Sequence, residues 1–186
     1  MKRASLKSNG VILYDDFDLQ QPKQDEVKIK IIYAGVCSSD IFRGFESWAY
    51  QYPLTMGHEL CGTIVEIGED LTKTFSLGDL VTVFPLLPCG ECSQCKETEY
   101  ARCVNYSYYG SRQDGGFSTH LNVKGWNLLK VPSNVAAIDA CLTEPCAVVH
   151  HGLKKLGLVK KKYGRAIIIG GGFLGLVAVQ MIKKSF

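Results

Sequence analysis

The first 130 residues alternate short hydrophobic stretches with turn-forming residues. Val27, Ile29, Ile31 and Tyr33 occupy every second position of one stretch, a pattern typical of a half-buried strand. Further strands are predicted at 10–14, 60–67, 80–84, 117–123 and 127–131. Glycines separate these stretches, as turns require. Many short strands at close spacing predict a mainly β fold, either a barrel or a rolled sheet.

The pattern changes after the last of these strands. Ser133 or Asn134 can cap a helix that begins near Val135, because short polar side chains accept hydrogen bonds from the first free backbone N–H groups. Pro145 can be the first residue of a second helix, since that position needs no N–H. We therefore expect Glu144 at a helix junction, with its carboxylate free of helical geometry.

A glycine-rich turn follows a continuous apolar run near the end of the chain. The run 166–169 predicts a strand buried on both faces of a parallel sheet, and 176–184 predicts a helix. Between them, Gly170 permits a tight turn, Gly172 lets a pyrophosphate approach the backbone, and Gly175 allows close helix–strand packing. This G-x-G-x-x-G in a strand–helix context predicts dinucleotide binding. A glycine-rich turn without a ligand is the alternative.

Composition excludes several classes of protein. The 186 residues are 46% hydrophobic and 21% charged, which is ordinary for a globular protein and excludes a disordered one. The net charge of +3 is too small to indicate a nucleic-acid or membrane partner. The longest apolar stretch, 166–179, is shorter than the ~18–20 residues of a membrane span, and no signal peptide is visible. We expect a soluble, cytoplasmic protein.

Four of the eight cysteines lie within fifteen residues, as Cys89-x2-Cys92-x2-Cys95-x7-Cys103. A C-x2-C turn presents two sulfurs to one ion with little strain, and Zn²⁺ accepts four thiolates in a tetrahedron. The spacing therefore predicts a structural zinc site. An iron–sulfur cluster is the main alternative, and a surface loop of unpaired thiols is the other.

Three further segments carry side chains capable of chemistry, and each has an ordinary explanation. A lone cysteine such as Cys37 is usually a small buried hydrophobe. A histidine between glycines, such as His58, is usually hydrogen-bonded in a turn, and an acid before a proline, such as Glu144, is usually a helix cap. These explanations lose weight when the segments occur together with the cysteine loop and the glycine turn.

In this order, the motifs resemble the zinc-dependent medium-chain dehydrogenase/reductase family of alcohol and polyol dehydrogenases. The resemblance covers essentially the whole chain, with Leu71 where a valine is more usual. The matching segments are Gly57-His58-Glu59-x2-Gly62-x5-Gly68, Gly78-Asp79-Leu80-Val81, Cys89-Gly90-x-Cys92, Asp114-Gly115-Gly116-Phe117 and Gly170-Gly171-Gly172-Phe173-Leu174-Gly175. Five independent matches in chain order make the assignment specific.

The resemblance implies two domains. Residues 1–155 would form a GroES-like zinc-binding domain, a partly open β-barrel that lacks its C-terminal return. Residues 156–186 would form the first βα unit of a Rossmann domain that binds NAD or NADP. Family members continue well beyond this length, so we expect the fragment alone to be inactive.

The resemblance also implies a catalytic Zn²⁺ held by Cys37, His58 and Glu144, with Glu59 able to ligate directly or to exchange with water. Many relatives have a cysteine in the third position, whereas a Glu-Pro pair is similar to the sorbitol, threonine and glucose dehydrogenase branch. Such a metal lowers the pKa of a bound alcohol, so that hydride can pass to the nicotinamide.

Two residues near these ligands match supporting roles. Ser39 corresponds to the hydroxyl that takes the substrate proton, and Asp40 to the carboxylate that orients the histidine ligand. Phe42 and Arg43 stand where several relatives carry a histidine or tyrosine, so the proton path beyond Ser39 stays open. The cofactor-binding residues implied by the resemblance are Gly170, Gly172, Phe173, Leu174 and Gly175.

The leading hypothesis is a dehydrogenase of polyols or other secondary alcohols that uses NAD or NADP and two zinc ions per chain, a homo-oligomer when full length. A sugar or threonine dehydrogenase of the same family is the nearest alternative. A second alternative, of a different functional class, is a zinc-stabilised non-catalytic binding module. Nucleic-acid binding would require a basic surface, yet the cysteine loop contains Glu91, Glu97 and Glu99. An inactive fragment is the third.

Overall fold

The structure is a computed structural model that describes residues 1–157 and 165–185. The strands are β1 (Lys2–Ser8), β2 (Val11–Asp16), β3 (Glu26–Gly35), β4 (Leu54–Thr55), β5 (Glu59–Ile67), β6 (Leu80–Val83), β7 (Leu86–Leu87), β8 (Ser107–Tyr108), β9 (His120–Lys124) and β10 (Leu128–Lys130). The α-helices are α1 (Ser38–Phe45), α2 (Ser93–Lys96), α3 (Ala137–Cys141), α4 (Thr143–Lys155) and α5 (Phe173–Ser185).

The strands form three antiparallel sheets. The largest has the order β10-β6-β5-β3-β9, the second has the order β2-β1-β4, and β7 pairs with β8. The sheets do not close into a barrel in the described part of the chain. The mainly β class predicted from the sequence is confirmed.

The main hydrophobic core lies on one face of the five-stranded sheet. Val27 and Ile29 of β3, Leu60 of β5 and Val81 of β6 are fully buried there. Each such side chain contributes about 1.5–3 kcal/mol through removal of apolar surface from water. The alternation of apolar residues in the first half of β3 therefore reflects the packing of every second side chain against the core.

A bulge breaks that alternation in the second half of β3. The pairing with β5 shifts register between Ile31 and Tyr33, and the consecutive residues Ile32 and Tyr33 are both exposed. One extra residue in a strand bends it and reverses which side the following residues face. The bulge therefore decides which side chains at the end of β3 meet β5.

The six strands predicted before residue 132 all have counterparts, with ends that differ by up to three residues; these are β2, β3, β5, β6, β9 and β10. The pattern missed β1, β4, β7 and β8. β1 carries three cationic residues among its seven, and the other three contain only two residues each. Such strands form because a partner strand supplies their hydrogen bonds. Their own sequence therefore shows little of the alternation that predicts a strand.

The predicted strand 166–169 is wrong for the structure as described. Ile167 and Ile169 are 91% and 98% exposed, and the backbone there is irregular. A buried parallel strand needs strands on both sides of it, and none of the described strands pairs with this run. The helix after it is present as α5, which begins three residues earlier than predicted.

The helix junction predicted at Glu144 lies two residues earlier, between α3 and α4, and the predictions that Pro145 begins the helix and that Glu144 is free of helical geometry are wrong. α4 begins at Thr143, so Glu144 lies in its first turn and Pro145 is its third residue. Proline is tolerated in a first turn because the N–H groups there have no partner within the helix. The helix predicted near Val135 is α3, which begins at Ala137.

The chain divides into two compact units, Met1–Cys141 and Leu142–Phe186. The domain boundary after residue 155 stays a prediction, and residues 158–164 and 186 of the predicted second domain lie outside the described ranges. In the second unit, α4 packs against α5. Among the helices described, none combines the length and the apolar surface that crossing a lipid bilayer requires.

A buried asparagine gives the first testable prediction. The Nδ2 group of Asn127 donates to the carbonyl oxygens of Phe84 and Leu86, at 2.6 and 2.7 Å, and Asn127 is fully buried. Asn127→Ala leaves both carbonyls without this donor and should lower the free energy of unfolding by about 1–3 kcal/mol in urea. Asn134→Ala, at an exposed position, is the matched control and should change it little. Equal effects of the two substitutions would contradict the prediction.

Candidate metal centres

The four clustered cysteines come together in a lobe built around α2. Cys92 precedes this short helix, Cys95 lies inside it, and Cys89 and Cys103 flank it in the chain. All four sulfur atoms lie within 4.8 Å of one another. Cys95 and Cys103 are buried, whereas the other two are half-buried.

The spacing of these sulfurs matches a tetrahedral metal site rather than disulfides. The Cys89–Cys95 and Cys92–Cys103 Sγ···Sγ distances are both 3.9 Å. Four sulfurs at about 2.3 Å from a tetrahedral Zn²⁺ lie about 3.8 Å apart, whereas disulfide sulfurs are about 2.05 Å apart. All eight cysteines are free thiols, so the lobe has the donor geometry that zinc requires.

Backbone N–H groups favour the ionised form of two of these thiols. The N–H of Cys89 donates to Sγ of Cys103 at 3.2 Å, and this bond lowers the pKa of Cys103. Hydrogen bonds from the backbone at Cys95 and Val104 lower the pKa of Cys92 to about 6. Burial acts in the opposite direction on Cys95 and raises its pKa to about 12. Because the thiolate is the metal ligand, the backbone N–H groups favour cation binding at two of the four sulfurs.

The second cluster combines Cys37, His58 and Glu59. Their ligand atoms also lie within 4.8 Å of one another. Gly35, the last residue of β3, pairs with Glu59, the first residue of β5. Cys37 follows β3 and His58 precedes β5, so this pairing brings the thiol and the imidazole to the same end of the sheet.

Gly35 leaves space for the carboxylate of this cluster. A Cβ at this position would overlap Oε2 of Glu59. Glu59 is only 8% exposed, and a buried carboxylate requires polar or metal partners. The absence of a side chain at residue 35 is therefore what allows the carboxylate to lie near the thiol.

Asp40 organises the buried charges beside the cluster. It lies in the first turn of α1 and is 2% exposed. Oδ2 accepts a hydrogen bond from the Cys37 backbone N–H, and Oδ1 accepts one from Nη1 of Arg43, both at 3.2 Å. Oδ1 also lies 3.5 Å from Nδ1 of His58. One carboxylate thus faces the thiol segment, the imidazole and a guanidinium.

The imidazole of His58 has an unusual electrostatic environment. Burial acts to lower its pKa, but Asp40 and then Cys37 outweigh burial and raise the pKa to about 9. Nδ1 is buried without a hydrogen-bond partner, so the 3.5 Å approach to Asp40 is an ion-pair contact. A carboxylate at Nδ1 is the arrangement that orients a histidine for metal binding through Nε2.

The residues present fit a zinc ion at this second cluster. A thiol, an imidazole and a carboxylate are the donor types that Zn²⁺ accepts, and a cation would offset the burial of Glu59. Ser39 is half-buried in the first turn of α1, next in sequence to Asp40. Glu144, the third ligand implied by the resemblance, lies in α4 of the second unit.

The glycine turn precedes and opens α5. Gly170 and Gly172 come before the helix, and Phe173, Leu174 and Gly175 are in its first turn. Phe173 and Leu174 are about half exposed, at 46% and 48%. The structure therefore places this motif at the N-terminus of a helix, as a phosphate-binding turn requires.

Sequence reasoning missed two contacts at or beside the second cluster. Arg43 contacts Asp40 three positions earlier on the same helix face, a spacing that the sequence alone could have indicated. The Tyr108 ring lies edge-on to His58 with centroids 5.7 Å apart. Tyr108 belongs to a two-residue strand far from His58 in the chain, so no local pattern pointed to it.

Comparison with known proteins identifies the family. The alcohol dehydrogenase GroES-like domain matches residues 23–133, more than half of the chain, and the chain belongs to this zinc-type medium-chain dehydrogenase family. Galactitol 1-phosphate 5-dehydrogenase of Escherichia coli K12 is 36% identical over 181 residues, which cover 97% of this chain and 51% of that protein. Sorbitol dehydrogenase of Halalkalibacterium halodurans is 37% identical over 164 residues, 88% of this chain and 47% of that protein.

Solved structures agree with this assignment. The crystal structure of galactitol-1-phosphate dehydrogenase from Escherichia coli superimposes with a TM-score of 0.92 at 35% identity, over 99% of this chain and 53% of that one. An alcohol dehydrogenase from Escherichia coli CFT073, complexed with NADH, superimposes with a TM-score of 0.90 at 28% identity. The match covers 98% of this chain and 53% of that one. The chain spans about half the length of the relatives that it matches.

The buried Asp40–Arg43 pair yields the second prediction. Asp40→Asn leaves a guanidinium that is only 12% exposed without its anion, and breaking a buried pair from one side costs about 3–5 kcal/mol. The loss should appear as a lower free energy of unfolding in urea. Asp70→Asn, at an exposed position, is the matched control.

The double variant Asp40→Asn/Arg43→Met tests the cause of that loss. Removing both charges should recover part of the stability lost by Asp40→Asn alone, because the buried guanidinium is no longer left without its anion. The loss of unfolding free energy in the double variant is compared with the sum of the losses in Asp40→Asn and Arg43→Met. If the two are equal, the pair is not coupled.

Proposed function

We propose that the protein to which this chain belongs is a zinc-dependent oxidoreductase that transfers hydride between a polyol or other secondary alcohol and NAD or NADP. The observation that carries the proposal is the cluster of Cys37, His58 and Glu59 with Asp40 behind the imidazole. Membership of the alcohol dehydrogenase GroES-like family supports it.

Two zinc ions per chain fit the two clusters. The lobe cysteines would hold a structural ion, because four thiolates leave no open position for substrate. Cys37, His58 and either Glu144 or Glu59 would hold the catalytic ion. When bound there, zinc supplies a Lewis acid that lowers the pKa of an alcohol.

The chain's own residues supply orientation and proton transfer. Asp40 holds His58 through Nδ1 and is itself held by Arg43 and the Cys37 N–H. This network keeps the imidazole in one orientation before substrate arrives. Ser39, half-buried beside Asp40, accepts the proton of the substrate hydroxyl and passes it to water.

The nicotinamide cofactor would bind at the N-terminus of α5. The free N–H groups and positive dipole end of this 13-residue helix favour a pyrophosphate, and no acidic side chain lies in its first turn. The cofactor-binding residues would be Gly170, Gly172, Phe173, Leu174 and Gly175. In this proposal residues 1–155 form the zinc-binding catalytic domain and residues 156–186 begin the Rossmann domain.

The names of the relatives favour a polyhydroxylated substrate. They include galactitol 1-phosphate, sorbitol and D-arabitol-phosphate dehydrogenases. Each name specifies a sugar alcohol or its phosphate ester. We therefore favour a polyol over a simple monohydric alcohol.

The catalytic cluster gives the third prediction. In the full-length protein, Cys37→Ala should abolish polyol oxidation and reduce the zinc content from about two ions to about one per chain, because only the lobe still has a complete ligand set. NADH formation at 340 nm and elemental analysis measure the two effects. Retained activity with both metals accounted for would show that this cluster is not the reaction centre. Cys146→Ala, a thiol outside both clusters, is the matched control.

The lobe gives the fourth prediction. Cys95→Ser removes a buried ligand, so it should lower the thermal midpoint and release one zinc ion, since a structural zinc contributes directly to folding. The ion at Cys37 and His58 should remain. Loss of the catalytic ion alone would contradict the assignment of the two sites.

A further inference from the structure

Arg112 is held between two tyrosine rings in the first unit. Its Cζ lies 4.2 Å from the ring centroid of Tyr50 and 4.5 Å from that of Tyr106. Its Nη2 lies 3.4 Å from the Tyr106 hydroxyl. Aromatic faces attract a guanidinium and fix its plane, so the donor groups of Arg112 are held in a set direction.

The guanidinium has no anionic partner in residues 1–157 and 165–185. Nε is buried and lacks a hydrogen-bond partner. Asp114, two residues away, is engaged elsewhere: it accepts from the Thr55 N–H at 2.8 Å and lies 3.6 Å from Arg3. A guanidinium fork is suited to two-point binding of a carboxylate or phosphate, and no carboxylate in the described part of the chain uses that capacity.

Arg112 lies on the loop that adjoins the candidate catalytic cluster. Its backbone N–H donates to the carbonyl oxygen of Tyr108 at 3.0 Å, and the Tyr108 ring lies edge-on to His58. Gly110, between them, has a φ of +79°, and a Cβ there would lie 2.5 Å from the carbonyl oxygen of Gly57. The loop therefore packs directly against the turn that carries His58.

We propose that Arg112, oriented by Tyr50 and Tyr106, determines substrate specificity by binding an oxyanion on the polyol. The oxyanion is a phosphate monoester or a carboxylate on a carbon remote from the one oxidised. Tyr50 and Tyr106 are both exposed, so their hydroxyls can donate to the same group. This inference rests on the proposed dehydrogenase function and adds the substrate class to it.

Steady-state kinetics of the full-length protein test the proposal with three substrates of equal chain length. These are a neutral hexitol, its terminal phosphate ester and the corresponding hexonate. Wild-type protein should prefer one of the two anions, and the preferred anion identifies the oxyanion. Arg112→Gln should raise KM for that anion about 10- to 100-fold, the effect expected from losing charge-assisted hydrogen bonds. KM for the neutral hexitol should stay within about twofold of the wild-type value.

Two further variants separate recognition from structural support. Arg112→Lys keeps the charge but loses the planar fork, so it should recover only part of the anion preference. Arg102→Gln removes a cation from an exposed position in the zinc lobe and should leave the preference unchanged. An equal loss of kcat/KM for all three substrates in Arg112→Gln would overturn the proposal, because Arg112 would then only hold its loop. A wild-type preference for the neutral hexitol would also overturn it.

A binding measurement distinguishes failure of this inference from failure of the proposed function. Inorganic phosphate and acetate are titrated calorimetrically into full-length wild type, Arg112→Gln and Arg102→Gln. At least one anion should bind to wild type and to Arg102→Gln and lose its binding in Arg112→Gln. Arg112-dependent binding without dehydrogenase activity would support the oxyanion site and reject the dehydrogenase. Anion binding that does not depend on Arg112 would reject the site itself.

Discussion

The pairing of β3 with β5 is the interaction on which the candidate catalytic site depends. Its register places Gly35 opposite Glu59, so the segment leaving β3 carries Cys37 to the turn that carries His58. A slip of one residue would turn the end of β3 to the opposite face. The bulge after Ile31 and the missing side chain at Gly35 together select the arrangement that joins thiol, imidazole and carboxylate.

Buried charge then organises the groups that this register brings together. Asp40 is almost fully buried, and its desolvation is offset by the Cys37 N–H, Arg43 and His58. Because all three partners converge on one carboxylate, the imidazole of His58 and the first turn of α1 are held in a fixed relation. The same region extends through Tyr108 to the loop that carries Arg112.

The two candidate metal centres differ in whether local sequence or tertiary structure brings their side chains together. Every ligand of the lobe lies within one short segment of chain, and the sulfur spacing is nearly that of a metal tetrahedron before any metal is added. Cys37 and His58, by contrast, meet only across two strands of the main sheet. A local centre can stabilise its own loop, whereas the second centre requires the whole sheet to fold first.

The sequence by itself determined the mainly β class, six of the strands, the α5 helix and the four-cysteine lobe, because periodicity and C-x2-C spacing are local properties. The motif order also identified the zinc-type dehydrogenase family. Tertiary structure alone decided the β3 bulge, the approach of Tyr108 to His58 and the clamping of Arg112 by Tyr50 and Tyr106. These features depend on residues distant in the chain, and no local pattern encodes which of them meet. The exposed run 166–169 has the same physical cause, since an apolar stretch becomes a buried strand only when neighbouring strands are there to pair with it.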